Sequence, residues 1–181
     1  MRIGGWTIGL AALALAACGA EAPVEQPAAA AEMPQVELDV ALSGPVRTIL
    51  AFGDSLFAGY NLAEPEGYPE RLEVLLRGQG INARVIDAAV SGDTTAAGRQ
   101  RIGFVLDNAA TKPDLAIVEL GGNDLLRGIP PQATRENLAA ILGEFAARDI
   151  PVLLMGMRAP PNLGAQFQTE FDGLYPALAE E

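Results

Sequence analysis

From Arg47 onward, short apolar runs alternate with longer amphipathic ones, and this alternation constrains the fold more than any other feature of the chain. Thr48-Ile49-Leu50-Ala51-Phe52 is a continuous apolar run ending at Gly53, the pattern of a strand covered on both faces. Tyr68 to Arg77 places Leu72, Leu75 and Leu76 at helical spacing, and Gly78 and Gly80 supply a stop. Arg84 to Ala88 reads as a second strand. Thr95 to Leu106 reads as a helix weakened by Gly98 and Gly103. Leu115 to Leu120 is the clearest strand, and Thr134 to Ala147 is a helix with Leu138, Ile141, Leu142 and Phe145 on one face. Pro151 to Met155 is a fourth strand with its proline at the permissive first position, and a last helix is expected from Gln166 to the end.

Strands that alternate with helices imply a parallel sheet covered on both faces. In such sheets ligands bind beyond the carboxyl ends of the strands. The loops at those ends are Gly53-Asp54-Ser55, Ser91-Gly92-Asp93-Thr94 and Gly121-Gly122-Asn123-Asp124. Each alone is ordinary turn chemistry, and Ser91 or Asp93 could simply cap a helix. Together they would converge on one rim with glycine and small polar groups, which is the main functional signal. Nucleotide binding is disfavoured. Gly53 to Gly59 lacks the Lys-Ser/Thr of a phosphate loop, no Gly-x-Gly-x-x-Gly opens the first helix, and Phe57-Ala58-Gly59 does not supply the Ser/Thr-rich loop of a flavin carrier.

Composition narrows the chemistry further. The net charge of −11 argues against a nucleic-acid partner. With one cysteine and no histidine among 181 residues, neither an intrachain disulfide nor a protein-held zinc site of the usual kind is expected, and no cofactor is expected. Half of the residues are hydrophobic, enough for a core made mostly of Leu, Ile, Val and Ala, since aromatics reach only 6%.

The first residues stand apart. Met1-Arg2 and the apolar run Ile3 to Ala17 are too short and too rich in Gly and Ala for a membrane span, and read as a signal peptide over 1–17. Leu15-Ala16-Ala17-Cys18 resembles a bacterial lipobox, which implies a lipidated Cys18 and membrane attachment through that anchor; an ordinary cleaved signal with an incidental Cys18 is the alternative. Residues 18–46 then form an Ala/Pro/Glu-rich linker ahead of a domain over 47–181.

The three loops together resemble the SGNH or GDSL hydrolases. Phe52 to Tyr60 is similar to that family's first block, Ala89 to Thr95 to its second and Leu120 to Asp124 to its third. Met157 to Gly164 resembles the substrate-side loop of the acyl-CoA thioesterase I, lysophospholipase and arylesterase branch. The resemblance implies a three-layer, flavodoxin-like α/β fold in which Ser55 is the nucleophile, Gly92 and Asn123 furnish the oxyanion hole, and Pro160, Asn162 and Leu163 touch substrate. The chemistry is coherent. Cleavage of an acyl ester or thioester through an acyl-enzyme needs a nucleophile, fixed N–H donors and a proton acceptor. The backbone N–H groups of Ser55 and Gly92, with the Asn123 amide, would supply the donors.

The family's acceptor is a histidine in a C-terminal Asp-x-x-His, and this chain contains none. Relative to the family it stops before a fifth strand and last helix, so a truncated copy of an active enzyme is expected, with natural loss of the catalytic end as the alternative. Asp54, Asp93 and Asp124 are poor substitutes, because an ordinary carboxylate has a pKa of about 4. Little or no esterase activity is therefore expected of these residues, and the fourth strand is expected to be an unprotected edge. The expected partners are a small acyl ester or lysolipid and, through the anchor, a membrane of the bacterial cell envelope on its periplasmic side. The competing function is a non-catalytic acyl- or glycan-binding lipoprotein that uses the same cleft.

Overall fold

The computed structural model describes residues 40–181. The leader, Cys18 and most of the Ala/Pro/Glu-rich stretch lie outside the described residues.

Four parallel strands form one sheet in the order β2-β1-β3-β4. They are β1 (Ser43–Gly53), β2 (Ile81–Asp87), β3 (Leu115–Glu119) and β4 (Val152–Leu154). The helices are α1 (Tyr68–Gly78), α2 (Thr95–Asp107), α3 (Gly122–Leu126), α4 (Pro131–Ala146) and α5 (Ala165–Glu180), with a single 3₁₀ turn at Pro161–Leu163. The doubly wound α/β arrangement read from the alternation of runs is therefore the observed one. β1 begins at Ser43, ahead of the Arg47 at which the folded part was expected to start. Its first residues are exposed, and Ser43 pairs with Ile81 across an irregularity in the ladder. The short helix α3, directly after the third loop, is an addition to the sequence reading.

Side chains alternate across the sheet and define two unequal layers. Leu50, Phe52, Ala116, Val118 and Leu120 point to the face that carries the larger core, with Ile102 and Leu106 of α2, Leu138, Ile141 and Phe145 of α4, and Phe171, Leu174 and Leu178 of α5. Phe52 and Phe145 meet edge to face there, with centroids 6.3 Å apart. Ile49, Ala51 and Ile117 point the other way, against Phe57 and the Tyr68, Leu72 and Leu76 side chains of α1. Register settles how the strand ends meet. Gly53 of β1 pairs with Glu119 of β3, so the first and third loops leave the sheet at the same level. Beyond β2, Val90 donates its N–H to the Gly53 carbonyl at 3.0 Å, which carries the second loop to that level as well.

β4 is the outermost strand of the described sheet and is only three residues long. Leu153 pairs with Ile117 and is 53% exposed. The expectation of an open edge at β4 therefore holds for the described residues.

Candidate active site

Strand β1 ends at Gly53, and Asp54 is buried immediately beyond it. The Asp54 carboxylate accepts from the Leu56 N–H at 3.1 Å, an Asx turn that fixes the backbone around the half-buried Ser55. Its second oxygen accepts from the Asn123 side-chain amide at 3.0 Å. Asp54 thus joins the first and third loops with one carboxylate. An amide nitrogen carries two N–H groups, so Asn123 keeps a second donor after this bond is made.

The second loop is braced by Arg101, a residue that the sequence reading passed over. Its guanidinium donates to the Ala88 carbonyl at 2.6 Å and to the Gly53 carbonyl at 3.1 Å, and pairs with Asp93 at 2.6 Å. It also lies over the Phe52 ring, 4.0 Å from the centroid. One side chain on α2 therefore ties together the ends of β1 and β2 and the loop that contains Gly92. Asp93 does not cap α2. That role falls to Thr94, whose side chain accepts from Ala97 N–H. Gly92 has φ +87°, a left-handed conformation suited to glycine, and its carbonyl accepts from Arg127 at 2.9 Å.

The third loop turns at Gly121, whose φ of +121° and contact with the Tyr175 hydroxyl leave no room for a side chain. Tyr175 donates to the Leu120 carbonyl at 3.0 Å. Burial raises its phenol above the ordinary range, assisted by the negative charges of Glu119, Asp124 and Asp54. Asp124 is fully buried and accepts from Thr95 N–H at 2.8 Å, from the Thr95 hydroxyl and from the Thr134 hydroxyl at 3.3 Å. It fastens α3 to the N-terminal turns of α2 and α4.

All three loop aspartates are thus engaged in holding the loops. Asp93 is paired with a guanidinium, Asp124 is enclosed, and Asp54 holds Asn123. Glu119 adds a fourth carboxylate at the end of β3. It is 4% exposed, accepts the Asp54 N–H through Oε2 at 3.5 Å, and leaves Oε1 buried without a hydrogen-bond partner. Burial, followed by the Asp54 charge, pushes its pKa up to about 7. A carboxylate inside the otherwise apolar run Leu115 to Leu120 was the sequence signal that could have flagged it.

The remaining sequence-derived positions lie elsewhere on the same rim. Pro160, Asn162 and Leu163 are exposed, in and just before the 3₁₀ turn that leads into α5, beyond the outermost strand. Their segment is held from the α5 side: Asp172 accepts from Ala159 N–H at 2.7 Å and Gln168 donates to the Ala159 carbonyl at 3.2 Å. Met157 packs next to Gly122, so this fourth loop does reach the third. Among the described residues no cluster of carboxylates, cysteine or histidine could hold a metal ion, and no helix is long and apolar enough to cross a membrane.

A parallel α/β sheet whose first three strand-end loops bring a serine, a left-handed glycine and an asparagine to one rim defines the SGNH-type hydrolase class. Residues 51–181 match the GDSL-like Lipase/Acylhydrolase family, and the chain belongs to it. It is 38% identical over 135 residues to Esterase TesA of Pseudomonas aeruginosa, a match covering 75% of this chain and 66% of that one. It is 39% identical over 132 residues to an arylesterase of Vibrio mimicus, covering 73% of this chain and 65% of the relative. The crystal structure of AlinE4, described as an SGNH-hydrolase family esterase, superposes with a TM-score of 0.74 at 68% identity, covering 76% of this chain and 73% of that one. The chain therefore spans slightly less than two thirds of the length of these two curated relatives.

Proposed function

We propose that this domain is the nucleophile-bearing part of a carboxylic-ester hydrolase acting on acyl esters or thioesters, with Ser55 as the nucleophile. The observation that carries the reading is the Asp54 bridge: one buried carboxylate fixes the turn at Ser55 and also holds the Asn123 amide. In the reaction, Ser55 Oγ attacks the substrate carbonyl while its proton passes to a base. The tetrahedral oxygen receives N–H bonds from the Ser55 and Gly92 backbone and the free N–H of Asn123. The alkoxide or thiolate then leaves, and water later releases the acyl group. Donors fixed before the charge develops are each worth on the order of 3 kcal/mol. In this chain they are fixed by Arg101, Asp54 and the Asp124 junction.

The base is not among these 181 residues, which contain no histidine. Loss of one member of a serine-hydrolase triad costs about 10⁴–10⁶ in turnover, so these residues by themselves should bind an acyl group far better than they cleave it. Pro160, Asn162 and Leu163 are assigned to the acyl side of the cleft, supported by their place on the rim and by Met157 against Gly122. An envelope location with Cys18 as a lipid anchor rests on the N-terminal sequence alone.

An alkylboronic acid, which forms a tetrahedral adduct with a serine hydroxyl, tests the half-site without requiring turnover. Butylboronic acid should bind with a boron-11 shift to tetrahedral geometry. Ser55→Ala should abolish the adduct, and Asn123→Ala should weaken it about tenfold or more. Binding unchanged in Ser55→Ala would remove the assignment and favour a non-catalytic acyl-binding module.

A further inference from the structure

The mechanism above leaves Glu119 unused, although its placement is costly. A buried carboxyl with one oxygen unpartnered is expensive unless it stays neutral or serves a neighbour. Its neighbour is Asp54, whose N–H donates to Glu119 Oε2 at 3.5 Å and whose negative charge adds to burial in raising the Glu119 carboxyl. Asp54 in turn holds Asn123.

We propose that Glu119 is a positioning residue for the oxyanion site: it holds Asp54 through the backbone N–H, and Asp54 engages one N–H of Asn123 so that the other stays aimed at the developing oxyanion. This rests on the reading of Asn123 as an oxyanion donor. While Glu119 is neutral, no second carboxylate charge stands beside the Asp54 that holds the Asn123 amide. When Glu119 ionises, its proton leaves to solvent and two carboxylates face each other in a low-dielectric site, which weakens the hold of Asp54 on Asn123. Three further charged or titratable groups lie in the neighbourhood of the pair. Asp124 lies in α3, Tyr175 projects from α5, and Arg101 of α2 binds the Gly53 carbonyl immediately before Asp54. Burial and the Asp54 charge oppose ionisation of Glu119, the Tyr175 phenol is uncharged in that pH range, and the Arg101 charge is paired with Asp93.

The test is an NMR pH titration of the whole chain, paired with boronic acid binding. The Glu119 side-chain carboxyl carbon and the Asn123 side-chain N–H signals should titrate together, with a midpoint near 7. In Glu119→Gln, whose amide oxygen can still accept from Asp54 N–H but which cannot ionise, the Asn123 signals should be flat and butylboronic acid affinity should be retained at every pH. Glu119→Ala should lose about tenfold in that affinity. The idea is overturned if Asn123 stays flat while Glu119 titrates in the native chain, if its titration persists in Glu119→Gln, or if Glu119→Ala binds as well as the native chain. The Glu119 and Asn123 titrations do not depend on Ser55. Failure of the hydrolase reading, seen as no boronate adduct at all, is thus separable from failure of the positioning role.

Discussion

The first three strand-end loops and the fourth are built on different principles. The loops after β1, β2 and β3 are cross-braced by side chains that are buried or nearly so: Asp54 to Asn123, Arg101 to Gly53, Ala88 and Asp93, and Asp124 to Thr95 and Thr134. The loop after β4 carries exposed Pro160, Asn162 and Leu163 and is held mainly from the α5 side. The difference matches two demands on a hydrolase. Groups that meet a developing charge work only if they are fixed in advance. Groups that meet an acyl chain need shape and apolar surface, and tolerate adjustment. This chain places its rigidity where the proposed chemistry occurs.

Removing the Arg101 clamp should break the contrast most severely. Arg101→Ala leaves Asp93 without its partner and frees two carbonyls. It should cost about 3 kcal/mol in urea unfolding, with Arg101→Lys recovering only part because one ammonium cannot serve that forked set of acceptors. Asp124→Ala should cost about 2 kcal/mol by stranding the Thr95 and Thr134 donors, and should speed hydrogen exchange at the N-terminal turns of α2 and α4. Glu119 gives a pH-dependent version of the same idea. Its pKa rises from 4.5 to about 7 on folding. Between those values the folded state holds a proton that the unfolded chain has released. The stabilisation is therefore fully present at acidic pH and is lost as pH rises through about 7, by on the order of 2 kcal/mol. Denaturation curves at a series of pH values should show this fall in the native chain, and Glu119→Gln should flatten it. The fourth loop should respond least. Leu163→Ser should change stability by no more than about 0.5 kcal/mol, while reducing the preference for long-chain over short-chain alkylboronic acids.

The sequence and the structure agree most closely where information is local. The strand ending at Gly53, the helical spacing of Leu138, Ile141 and Phe145, and the glycine-polar loops after each strand are properties of short stretches, and each lies where those stretches imply. Gly98 counted against α2 as a helix. In the fold it lets α2 approach Leu120, Ile141 and Phe52 more closely than an alanine would. The bracing was illegible because it is long-range. Arg99 and Arg101 look alike in the sequence, yet Arg101 spans 48 residues to Gly53, while Arg99 reaches Asn137 at an exposed site. The early part of β1 was missed because its exposed residues show no apolar pattern and owe their strand conformation to β2. Only Glu119, charged in an apolar strand, carried a local mark of its unusual placement.

The most direct measurement for the central claim is turnover of p-nitrophenyl butyrate by the 181-residue chain beside its Ser55→Ala variant. The account predicts equal background rates for the two, because Asp54, Asp93 and Asp124 are each engaged in holding the loops around the proposed nucleophile and its proposed donors. A rate well above background that Ser55→Ala abolishes would contradict it, and would mean that one of those carboxylates takes the serine proton.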